Sequence, residues 1–230
     1  MQPYFFPYAG YYRLLAEADC FVILDSVQFP RRGRVHRCRV PGPGSTEEWL
    51  TLPMRKAPRD VRISDLEFAP DASDRLAWQL RHRPWMGHAD TPLRRDLRAL
   101  LADPGRDVTR FLEASLRLVV EALGLGCEIL RSSALDLPEG RGAQDRIIGI
   151  VRQMGGTRYI NAPGGRALYD AASFAAAGLD LRFLGDYGGG IFHMLPALFT
   201  LDPETIRQDI LDNLCLSDAQ GQPILKPSMS

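Results

Sequence analysis

Cysteine is scarce in this sequence, net charge is zero and no apolar run is long, and each absence excludes a class of protein. The four cysteines (Cys20, Cys38, Cys127 and Cys215) lie far apart without C-x-x-C spacing, so we expect reduced thiols and neither a zinc ribbon nor a thioredoxin-type pair. Lysine plus arginine and aspartate plus glutamate both number 28, which leaves no overall field to attract nucleic acid or anionic lipid. No secretion signal is present and no apolar run approaches about 18 residues, so the prediction is a cytoplasmic protein without a membrane span.

Familiar nucleotide and metal motifs are also missing. No G-x-G-x-x-G follows the first strand and no G-x-x-x-x-G-K-[ST] occurs anywhere, which disfavours a dinucleotide-binding dehydrogenase and a P-loop NTPase. The histidines in the central region, His82 and His88, lack the spacing of a metal motif, so no metal site is predicted.

Residues 1–29 are the unit around which the rest of the chain is organised. An aromatic run over residues 2–6 predicts a strand that Pro7 closes, and Cys20 to Leu24 predicts a second strand, buried in a parallel sheet. The helix between them presents Tyr11, Leu14, Leu15 and Ala18 on one face and Arg13 and Glu17 on the other. If the first strand already includes Gln2, we expect the natural chain to begin a few residues upstream.

Aromatic residues crowd the loop between this first strand and the helix. The rings of Tyr4, Tyr8 and Tyr11 precede or begin the helix near Gly10, where free N–H groups and the helix dipole favour an anion. The same rings would serve equally well as a wall of the core. Two polar residues just past the second strand, Asp25 and Gln28, fit either a surface turn or a site at the carboxyl edge of the sheet.

A basic segment follows at residues 31–39, RRGRVHRCR. Together with Trp49 to Pro53 and the turn between them, it predicts a β-hairpin. Arg34, Arg37 and Arg39 would project from the first strand of this hairpin. They fit either a solvated edge strand protected by charge or a clamp for phosphate or carboxylate.

The remaining chain predicts one α/β domain of 230 residues with a helical insertion. Its fold class is expected to be a mostly parallel, Rossmann-like sheet with strands near residues 2–6, 21–25, 127–131, 157–161 and 180–184. Residues 1–64 would form the first βα half with the hairpin and residues 65–125 a helical insertion or lid. Residues 126–216 would form the second βα half and C-terminal helix, with predicted helices over 143–154, 166–177 and 203–214, and residues 217–230 a loose tail.

A glycine-rich turn lies between the predicted strand at 157–161 and the next helix. Asn161, Gly164 and Gly165 have the strand, turn and helix arrangement that cradles phosphate or carboxylate groups. An ordinary βα loop with a left-handed glycine gives the same pattern.

Several of these segments together resemble the WbqC-like protein family. They are the opening MQPYFFPYAGYYRLL with FVILDSVQF, the basic RRG..HR.R, the strand WLTLP and the later GGTRYINAPGGRALYD. The resemblance implies a bacterial protein from O-antigen, surface-polysaccharide or natural-product gene clusters, with a role in making or decorating a sugar. Its recurrent positions correspond here to Gln2, Pro3, Pro7, Gly10, Tyr11, Asp25, Gln28, Arg37, Arg39, Pro53, Gly164, Gly165 and Tyr169. This chain departs from the family at Cys38, where asparagine is usual, and its amino end is shorter.

A second analogy concerns the fold alone. The order of first strand, Pro- and Gly-containing loop, helix and second strand is similar to the nucleotide-binding sheet of pantothenate synthetase-type enzymes, which adenylate a carboxylate. The H-x-G-H box of those enzymes is replaced here by Tyr8 to Tyr12. The analogy would imply ATP, or an acyl or aminoacyl donor, as cofactor, but the missing box removes much of the case for an ATP site.

The leading hypothesis is an enzyme that transfers an acyl or aminoacyl group to an amino sugar or similar amine. Asp25, Gln28 and His36 would act in catalysis. The predicted ligand-binding residues are Gln2, Tyr4, Tyr8, Gly10, Tyr11, Arg34, Arg37, Arg39, Asn161, Gly164, Gly165 and Tyr169. The expected partners are a small molecule, such as a nucleotide sugar, and a carrier protein. A non-catalytic binding or scaffold protein is one alternative, and a cysteine nucleophile at Cys38 or Cys127 with His36 or His193 as base is another.

Overall fold

The computed structural model describes residues 1–44, 46–137 and 142–224. Within these ranges, α-helices and short strands are mixed along the whole chain. The helices are α1 (Ala9–Glu17), α2 (Ala72–Leu80), α3 (Pro92–Ala102), α4 (Val108–Ala122), α5 (Ala143–Gln153), α6 (Ala171–Ala176), α7 (Met194–Thr200) and α8 (Pro203–Asp212). The strands are β1 (Cys20–Ile23), β2 (Arg37–Pro41), β3 (Glu47–Thr51), β4 (Glu128–Arg131), β5 (Arg158–Asn161), β6 (Asp180–Leu184), β7 (Leu216–Ser217) and β8 (Pro223–Ile224).

The described strands form three small sheets, where a single parallel sheet was predicted. β1 and β4 pair in parallel with Phe21 beside Ile129, and β2 and β3 form an antiparallel hairpin with Arg39 beside Trp49. β5 and β6 pair in parallel, and β7 and β8 extend this sheet in antiparallel orientation. The α/β class is therefore observed, and the predicted neighbours 21–25 and 127–131 do pair. A continuous Rossmann-like sheet is not present in the described residues.

The predicted strand at residues 2–6 is a loop. Pro3 has no N–H to donate to a ladder, and the N–H of Phe5 donates instead to the carbonyl oxygen of Arg34 at 3.0 Å. Phe6 then turns the chain with a φ of 38°. Only Met1 pairs with β1: its amino group donates to the carbonyl of Val22 at 2.8 Å, and its carbonyl accepts from the N–H of Leu24 at 2.8 Å.

β1 is fully buried on one face and partly buried on the other, whereas its apolar sequence predicts burial on both. Phe21 and Ile23 face a large core that α1, the hairpin, helices α2 to α4 and the C-terminal helices share. Val22 and Leu24 face a smaller core under α5, α6 and β6, around Phe174. Because side chains alternate along a strand, one four-residue element separates the two cores.

Residues 65–125 contain helices α2, α3 and α4. Asp107 caps α4 by accepting from the N–H of Arg110 at 2.9 Å, and the buried face of α4 includes Phe111, Leu112 and Leu116. α2 also contacts the hairpin through Gln79. Its side-chain amide accepts from the N–H of Thr51 at 3.0 Å and donates to the carbonyl of Thr51 at 2.9 Å, as a neighbouring strand would.

The C-terminal part differs from its prediction in three ways. The helix expected over 166–177 is interrupted, because a 3-10 segment over Pro163–Leu168 ends and Asp170 starts α6 by capping the N–H of Ser173 at 2.9 Å. α7 was not predicted. The expected tail contributes Ser217 to β7 and residues 223–224 to β8, while residues 225–230 of that tail lie outside the described ranges.

Candidate functional site

The aromatic loop before α1 is anchored in the core on one side. Phe5 is fully buried and packs against Phe111 with ring centroids 5.9 Å apart, and the ring of Phe6 lies edge-on to Phe5 at 5.2 Å. A bulky residue at positive φ is rare and carries backbone strain, so these contacts must hold Phe6 in place. The loop therefore presents Tyr4 and Tyr8, which are only partly buried, in a fixed arrangement.

The start of α1 depends on a close approach at Gly10. A Cβ atom there would lie 2.2 Å from Cε2 of Tyr8 and 2.8 Å from Cγ of Tyr187. Tyr8 is the N-cap residue and supplies no side-chain cap, and the first turn contains no acidic residue. The positive end of α1 thus lies beside two tyrosine rings.

Tyr187 follows β6 and is held from several sides. Its hydroxyl donates to the carboxylate of Asp209 and accepts from the N–H of Ile191 at 3.0 Å. Burial, and next the bond to Asp209, raise the pKa of the Tyr187 hydroxyl above its ordinary value. The guanidinium of Arg13 lies over the ring, 5.4 Å from its centroid. The phenol is therefore neutral and fixed against Gly10.

Arg13 is fully buried, although its sequence position placed it on the polar face of α1. Its guanidinium donates to four backbone carbonyls: Gly10 at 3.2 Å, Gly185 at 3.0 Å, Asp186 at 3.3 Å and Asn213 at 2.8 Å. Carbonyl oxygens thus satisfy a buried cation that has no carboxylate partner within the described chain. This arginine fastens α1 to the segment after β6.

Three arginines of the basic segment surround one exposed indole. The guanidinium carbon of Arg37 lies 4.3 Å from the ring centroid of Trp49, that of Arg39 5.0 Å and that of Arg34 6.0 Å. Arg37 also donates to the carbonyls of Arg32 and Gly33, and Arg39 pairs with Glu47. Arg34 has no ion-pair partner in the part of the chain that the structure describes. Arg34 is thus the cation with most capacity left for a ligand.

We call the following set the aromatic–arginine surface: Tyr4, Tyr8, Trp49, Tyr187, Phe192, Arg34, Arg37 and Arg39. Phe192 stacks on Tyr8 at 6.3 Å with an interplanar angle of 8°, and it meets Tyr187 edge-on at 5.5 Å. The N–H of Phe5 donates to the carbonyl oxygen of Arg34 at 3.0 Å, so the loop that carries Tyr4 lies beside the basic segment. Burial raises the pKa of Tyr4, and the charge of Arg34 acts to lower it. The surface is open, because Trp49 and Phe192 are 38% and 55% exposed.

His193 joins the two ends of this surface. It follows Phe192 in sequence, and its Nδ1 lies 3.2 Å from the carbonyl oxygen of Arg39. Its Nε2 lies 3.2 Å from the carboxylate of Glu47, which also pairs with Arg39. The contacts therefore run continuously from Tyr187 through Phe192 and His193 to the arginines.

Two further predicted binding residues lie behind the tyrosines. The buried hydroxyl of Tyr11 donates to the carbonyl of Gln2 at 2.7 Å, and the rings of Tyr4 and Tyr11 lie 5.3 Å apart. Burial raises the pKa of Tyr11 well above its ordinary value. Tyr11 supports the loop from inside, whereas Gln2 is partly exposed at its start.

Asp25 is fully buried at the end of β1. Within the described residues, its carboxylate accepts hydrogen bonds from serines and from none of the arginines of the basic segment. Its Oδ1 accepts from the hydroxyl of Ser132 and the N–H of Ser133, both at 2.9 Å, and its Oδ2 accepts from the hydroxyl of Ser133 at 2.6 Å. Ser26 completes the cluster through the hydroxyl of Ser132 at 2.9 Å. Contact between Asp25 and a substrate amine would require Ser133 to release it.

The other two predicted catalytic residues lie on different parts of the chain. Gln28 is exposed and donates to the carbonyl of Arg59 at 2.9 Å. His36 is partly buried against the ring of Phe29, and its Nδ1 has no hydrogen-bond partner within the described residues. Burial, and next the charge of Arg37, lower the pKa of His36, so its ring is neutral at pH 7. No hydrogen bond or ring contact of the described residues joins Asp25, Gln28 and His36.

The Gly-Gly turn forms a separate group. The amide of Asn161 accepts from the N–H of Ala162 at 2.8 Å and lies so close to Gly165 that a Cβ there would be 2.4 Å from its nitrogen. Gly164 is exposed, and Tyr169 packs edge-on against Tyr159 at 5.6 Å. Among the described residues, no hydrogen bond, ion pair or ring contact joins this turn to Arg34, Arg37 or Arg39. The joint anion site predicted from these two segments stays a prediction.

A cleft of about 450 Å³ lies between β1 and β5. Met1, Leu24 and Asn161 line one part of it, and Asp19, Gly155 and Thr157 line another. Asn161 and Met1 therefore border the same space, which places the turn after β5 near the start of the aromatic loop.

The two candidate cysteine nucleophiles lie in surroundings that keep their thiols protonated. Cys38 is buried, and burial raises its pKa above the ordinary range; burial also raises the pKa of Cys127, to about 12. Both would be weak nucleophiles.

Within the ranges described, no group of three or more His, Cys, Asp or Glu side chains is placed to hold a metal ion. None of the helices described there has both the length and the apolarity needed to cross a bilayer.

The sequence-based prediction omitted several residues of this surface. Trp49 could have been identified from the hairpin register, which places it directly opposite Arg39. Tyr187 precedes the Gly188 to Gly190 run, and Asp209 accepts from both the Tyr187 hydroxyl and the N–H of Gly190, but this run was assigned no role. Phe192 and Arg13 gave no local signal, because their partners lie far away along the chain.

Comparison with known proteins relates the chain to a protein family and to a bacterial relative. The model of the WbqC-like protein family matches residues 2–188. An uncharacterized protein of Mycobacterium tuberculosis, Rv1507c, is 21% identical over 197 residues, which is 82% of this chain and 81% of that protein. No solved structure matches the chain.

Proposed function

The chain belongs to the WbqC-like protein family, and from this premise we propose that it transfers an acyl or aminoacyl group to an amino sugar or similar amine in glycan or natural-product biosynthesis. The aromatic–arginine surface is the observation that carries the proposal. Its aromatic rings can stack on a flat group such as a nucleobase, and its guanidinium groups can bind phosphate. A nucleotide-linked sugar contains both groups.

Arg34 is assigned the central role in binding. It is exposed, its guanidinium carbon lies 6.0 Å from the ring centroid of Trp49, and it makes no ion pair within the described ranges. Arg37 and Arg39 already contact backbone carbonyls and Glu47, so they would mainly orient Trp49 and add to the positive field. The N-terminus of α1 adds a partial positive charge next to Tyr8.

The other predicted residues would extend the site toward the cleft between β1 and β5. Met1 and Asn161 both line the cleft, and the chain continues from Met1 into Gln2 and Tyr4 and from Asn161 into the Gly-Gly turn. An acceptor sugar bound there would lie between the two groups. Tyr11 and Tyr169, being mostly buried against other rings, would shape the site from behind.

The transfer itself needs a base. The acceptor nitrogen would attack the acyl carbonyl carbon, a C–N bond would form, the bond to the donor's leaving group would break, and a base would take the ammonium proton. His36 is the proposed base, with Gln28 orienting the acceptor and Asp25 as the alternative base. The neutral ring of His36 suits this role better than the buried Asp25, whose oxygens are occupied by Ser132 and Ser133.

The donor would be an acyl or aminoacyl thioester or an ATP-derived adenylate. A carrier protein delivering such a thioester fits the open surface around Phe192. No metal is required for this step.

Calorimetric titration with UDP-N-acetylglucosamine tests the binding part of the proposal. We expect Arg34→Ala to weaken binding by about 10- to 100-fold, the loss of a charged hydrogen bond worth roughly 1.5–3 kcal/mol. Arg31→Ala is the matched control, because Arg31 belongs to the same basic segment but donates to the carbonyls of Ala57 and Pro58. Its affinity should equal that of the unmodified chain.

Equal binding by the Arg34→Ala chain, or an equal loss in both variants, would remove the arginine cluster from the site.

Transfer is tested separately by mass spectrometry. The chain is incubated with an amino-sugar nucleotide and either acetyl coenzyme A or an amino acid with ATP, and an N-acylated sugar is the expected product.

A non-catalytic binding protein is the second candidate. The exposure of Phe192 and Trp49 favours it, because an open aromatic patch is typical of a protein-binding surface. Binding of UDP-N-acetylglucosamine that depends on Arg34, without product from any donor, would favour this candidate over the transferase.

A further inference from the structure

Two segments that lie apart in the sequence bring exposed cations to one place on the surface. Arg31 and Arg32 precede the hairpin, and Lys56 and Arg59 follow it; all four side chains are exposed. The guanidinium of Arg31 donates to the two backbone carbonyls between Lys56 and Arg59, at 2.7 and 2.8 Å. These bonds hold the two segments side by side. We call Arg31, Arg32, Lys56 and Arg59 the basic face.

Backbone and amide bonds next to the basic face fix the same arrangement. The N–H of Phe29 donates to the carbonyl of Val61 at 2.8 Å, and the side-chain amide of Gln28 donates to the carbonyl of Arg59 at 2.9 Å. The fold itself therefore determines that these cations are neighbours.

Little negative charge balances the basic face. Among the described residues, Arg32, Lys56 and Arg59 make no side-chain hydrogen bond or ion pair, and Arg31 donates only to carbonyl oxygens. Asp60 is the only acidic residue in the sequence of segments 26–34 and 55–62. Since like charges held close together repel one another, such a surface favours a partner that supplies carboxylates or phosphates.

The basic face adjoins the aromatic–arginine surface. Arg37 donates to the carbonyl of Arg32 at 2.7 Å, and its guanidinium carbon lies 4.3 Å from the ring centroid of Trp49. A macromolecule bound to the basic face would therefore lie beside the rings and arginines to which the proposed function assigns the ligand.

Three properties favour an acidic protein over other anionic partners. The net charge of the chain is zero, whereas a nucleic-acid-binding domain has a basic excess that raises its pI above about 9. No large apolar side chain is exposed in residues 26–33 or 55–62, so the face lacks the second signal that stable membrane anchoring needs. The cleft between β1 and β5 is lined by none of the four residues, so the face offers no enclosure for a small anion.

We propose that the basic face is the docking surface for an acidic carrier protein that delivers the acyl or aminoacyl group as a thioester. The inference depends on the proposed function for the identity of the carried group, and on charge complementarity for the docking itself. Carboxylates of the carrier would pair with Arg32, Lys56 and Arg59, which orients the carrier and speeds its association.

Docking at this position leaves the aromatic–arginine surface open for the chemistry. The thioester would extend from the docked carrier toward Arg34 and Trp49. The acceptor nitrogen forms the new C–N bond and the C–S bond to the carrier breaks. The amine proton then reaches the departing thiolate by way of the base, so that the carrier leaves as a free thiol.

Binding of an acetylated acyl carrier protein, an acidic protein that holds its acyl group as a thioester, tests the docking surface. Fluorescence anisotropy would measure affinity at about 0.05 M and about 0.15 M salt. We expect the double variant Lys56→Glu, Arg59→Glu to weaken binding by at least about tenfold at the lower salt and to reduce the salt dependence. Its affinity for UDP-N-acetylglucosamine at the higher salt should stay within about twofold, because salt screens exposed charges beyond roughly 8 Å.

The matched control is the double variant Arg110→Glu, Arg152→Glu, which changes net charge equally at exposed positions on α4 and α5. It should bind the carrier as the unmodified chain does. Equal loss in both double variants, or no carrier binding by the unmodified chain, would overturn the proposal. So would binding of RNA or of anionic lipid vesicles, but not of the carrier, that is lost when Lys56 and Arg59 are replaced.

Docking and transfer can fail separately in these experiments. Transfer from acetyl coenzyme A without carrier binding would reject the docking surface and leave the proposed transferase intact. Carrier binding that depends on Lys56 and Arg59, without an N-acylated product from any donor, would support the docking surface and reject the transferase.

Discussion

At the scale of single residues, the aromatic loop depends on two backbone positions that tolerate little change. Phe6 has a φ of 38°, a conformation that costs a bulky residue roughly 1–3 kcal/mol and persists only because Phe5 and Phe6 are packed in the core. Gly10 has two tyrosine rings where a Cβ atom would be. The geometry of the surface therefore depends on the absence of a side chain at Gly10 and on the unusual backbone conformation of Phe6.

Replacing Gly10 by alanine should disrupt the surface at its centre. The new methyl group would displace Tyr8, because Asp209 and Ile191 hold the Tyr187 ring in place. We expect a stability loss of about 1–3 kcal/mol in urea unfolding, with weaker binding of UDP-N-acetylglucosamine. Gly126→Ala is the control, since nothing lies within 4 Å of its added Cβ, and it should change stability by less than about 0.5 kcal/mol. A Gly10→Ala chain as stable as the control would show that the rings move freely.

At the scale of elements, the carboxyl ends of β1 and β4 are tied together by one carboxylate. Asp25 extends from the first strand and takes three hydrogen bonds from Ser132 and Ser133, which follow the second. The two strands have only a four-residue ladder between them, so this cluster adds substantially to their pairing.

Asp25→Asn separates a structural role from a catalytic one. The amide cannot accept at both former oxygen positions, so we expect a loss of about 2–3 kcal/mol in the free energy of unfolding, with activity per folded molecule retained. A proton-accepting Asp25 gives the opposite pattern, with a stable fold and turnover about 10²–10⁴-fold lower. Asp60→Asn, at an exposed position, controls for the change in net charge and should behave as the original chain.

The elements were predictable where local pattern decides them. The bounds of β6 match the predicted 180–184, because the alternation of Leu181 and Phe183 with polar residues is a property of neighbouring residues. The grouping of strands into sheets was not predictable in this way, since it depends on which backbone edges meet. The burial of Arg13 was missed for the same reason: three of its acceptors lie 172 to 200 residues away.

The site shows the same division between local and distant signals. Tyr4, Tyr8 and Arg34 were chosen from their chemistry and sequence position. The hydrogen bond from the N–H of Phe5 to the carbonyl of Arg34 joins the loop of the two tyrosines to the basic segment. The Gly164–Gly165 turn was grouped with the arginines on chemistry alone, and the described contacts connect it to Asn161 instead. A shared preference for anions does not determine whether two segments meet.

At the scale of the whole molecule, the buried amino group of Met1 couples folding to pH. Its pKa is about 5 in the folded chain and about 8 when unfolded, so unfolding takes up a proton between these values. Stability should therefore fall as pH decreases from 8 to 5, by at most roughly 4 kcal/mol in total. His36, whose pKa is also lowered, adds to this only below about pH 6.5.

Urea unfolding at pH 8, 7 and 6.5 measures the contribution of the amino group alone. Acetylation of the terminus provides the comparison, because an acetylated nitrogen does not titrate. The free chain should lose stability over this interval while the acetylated chain stays nearly constant. Parallel curves for the two forms would show that the terminal nitrogen is solvated in the folded state.

The contact between Gln79 and Thr51 has a consequence for how the protein behaves in concentrated solution. An unpaired strand edge is a template on which other chains assemble, and the outer edge of β3 would offer one. The side-chain amide of Gln79 takes both backbone groups of Thr51 and so imitates the strand that would otherwise add there. One helical glutamine thereby blocks, at Thr51, the growth of intermolecular sheets from the hairpin that carries Trp49, and leaves that exposed indole available for a ligand.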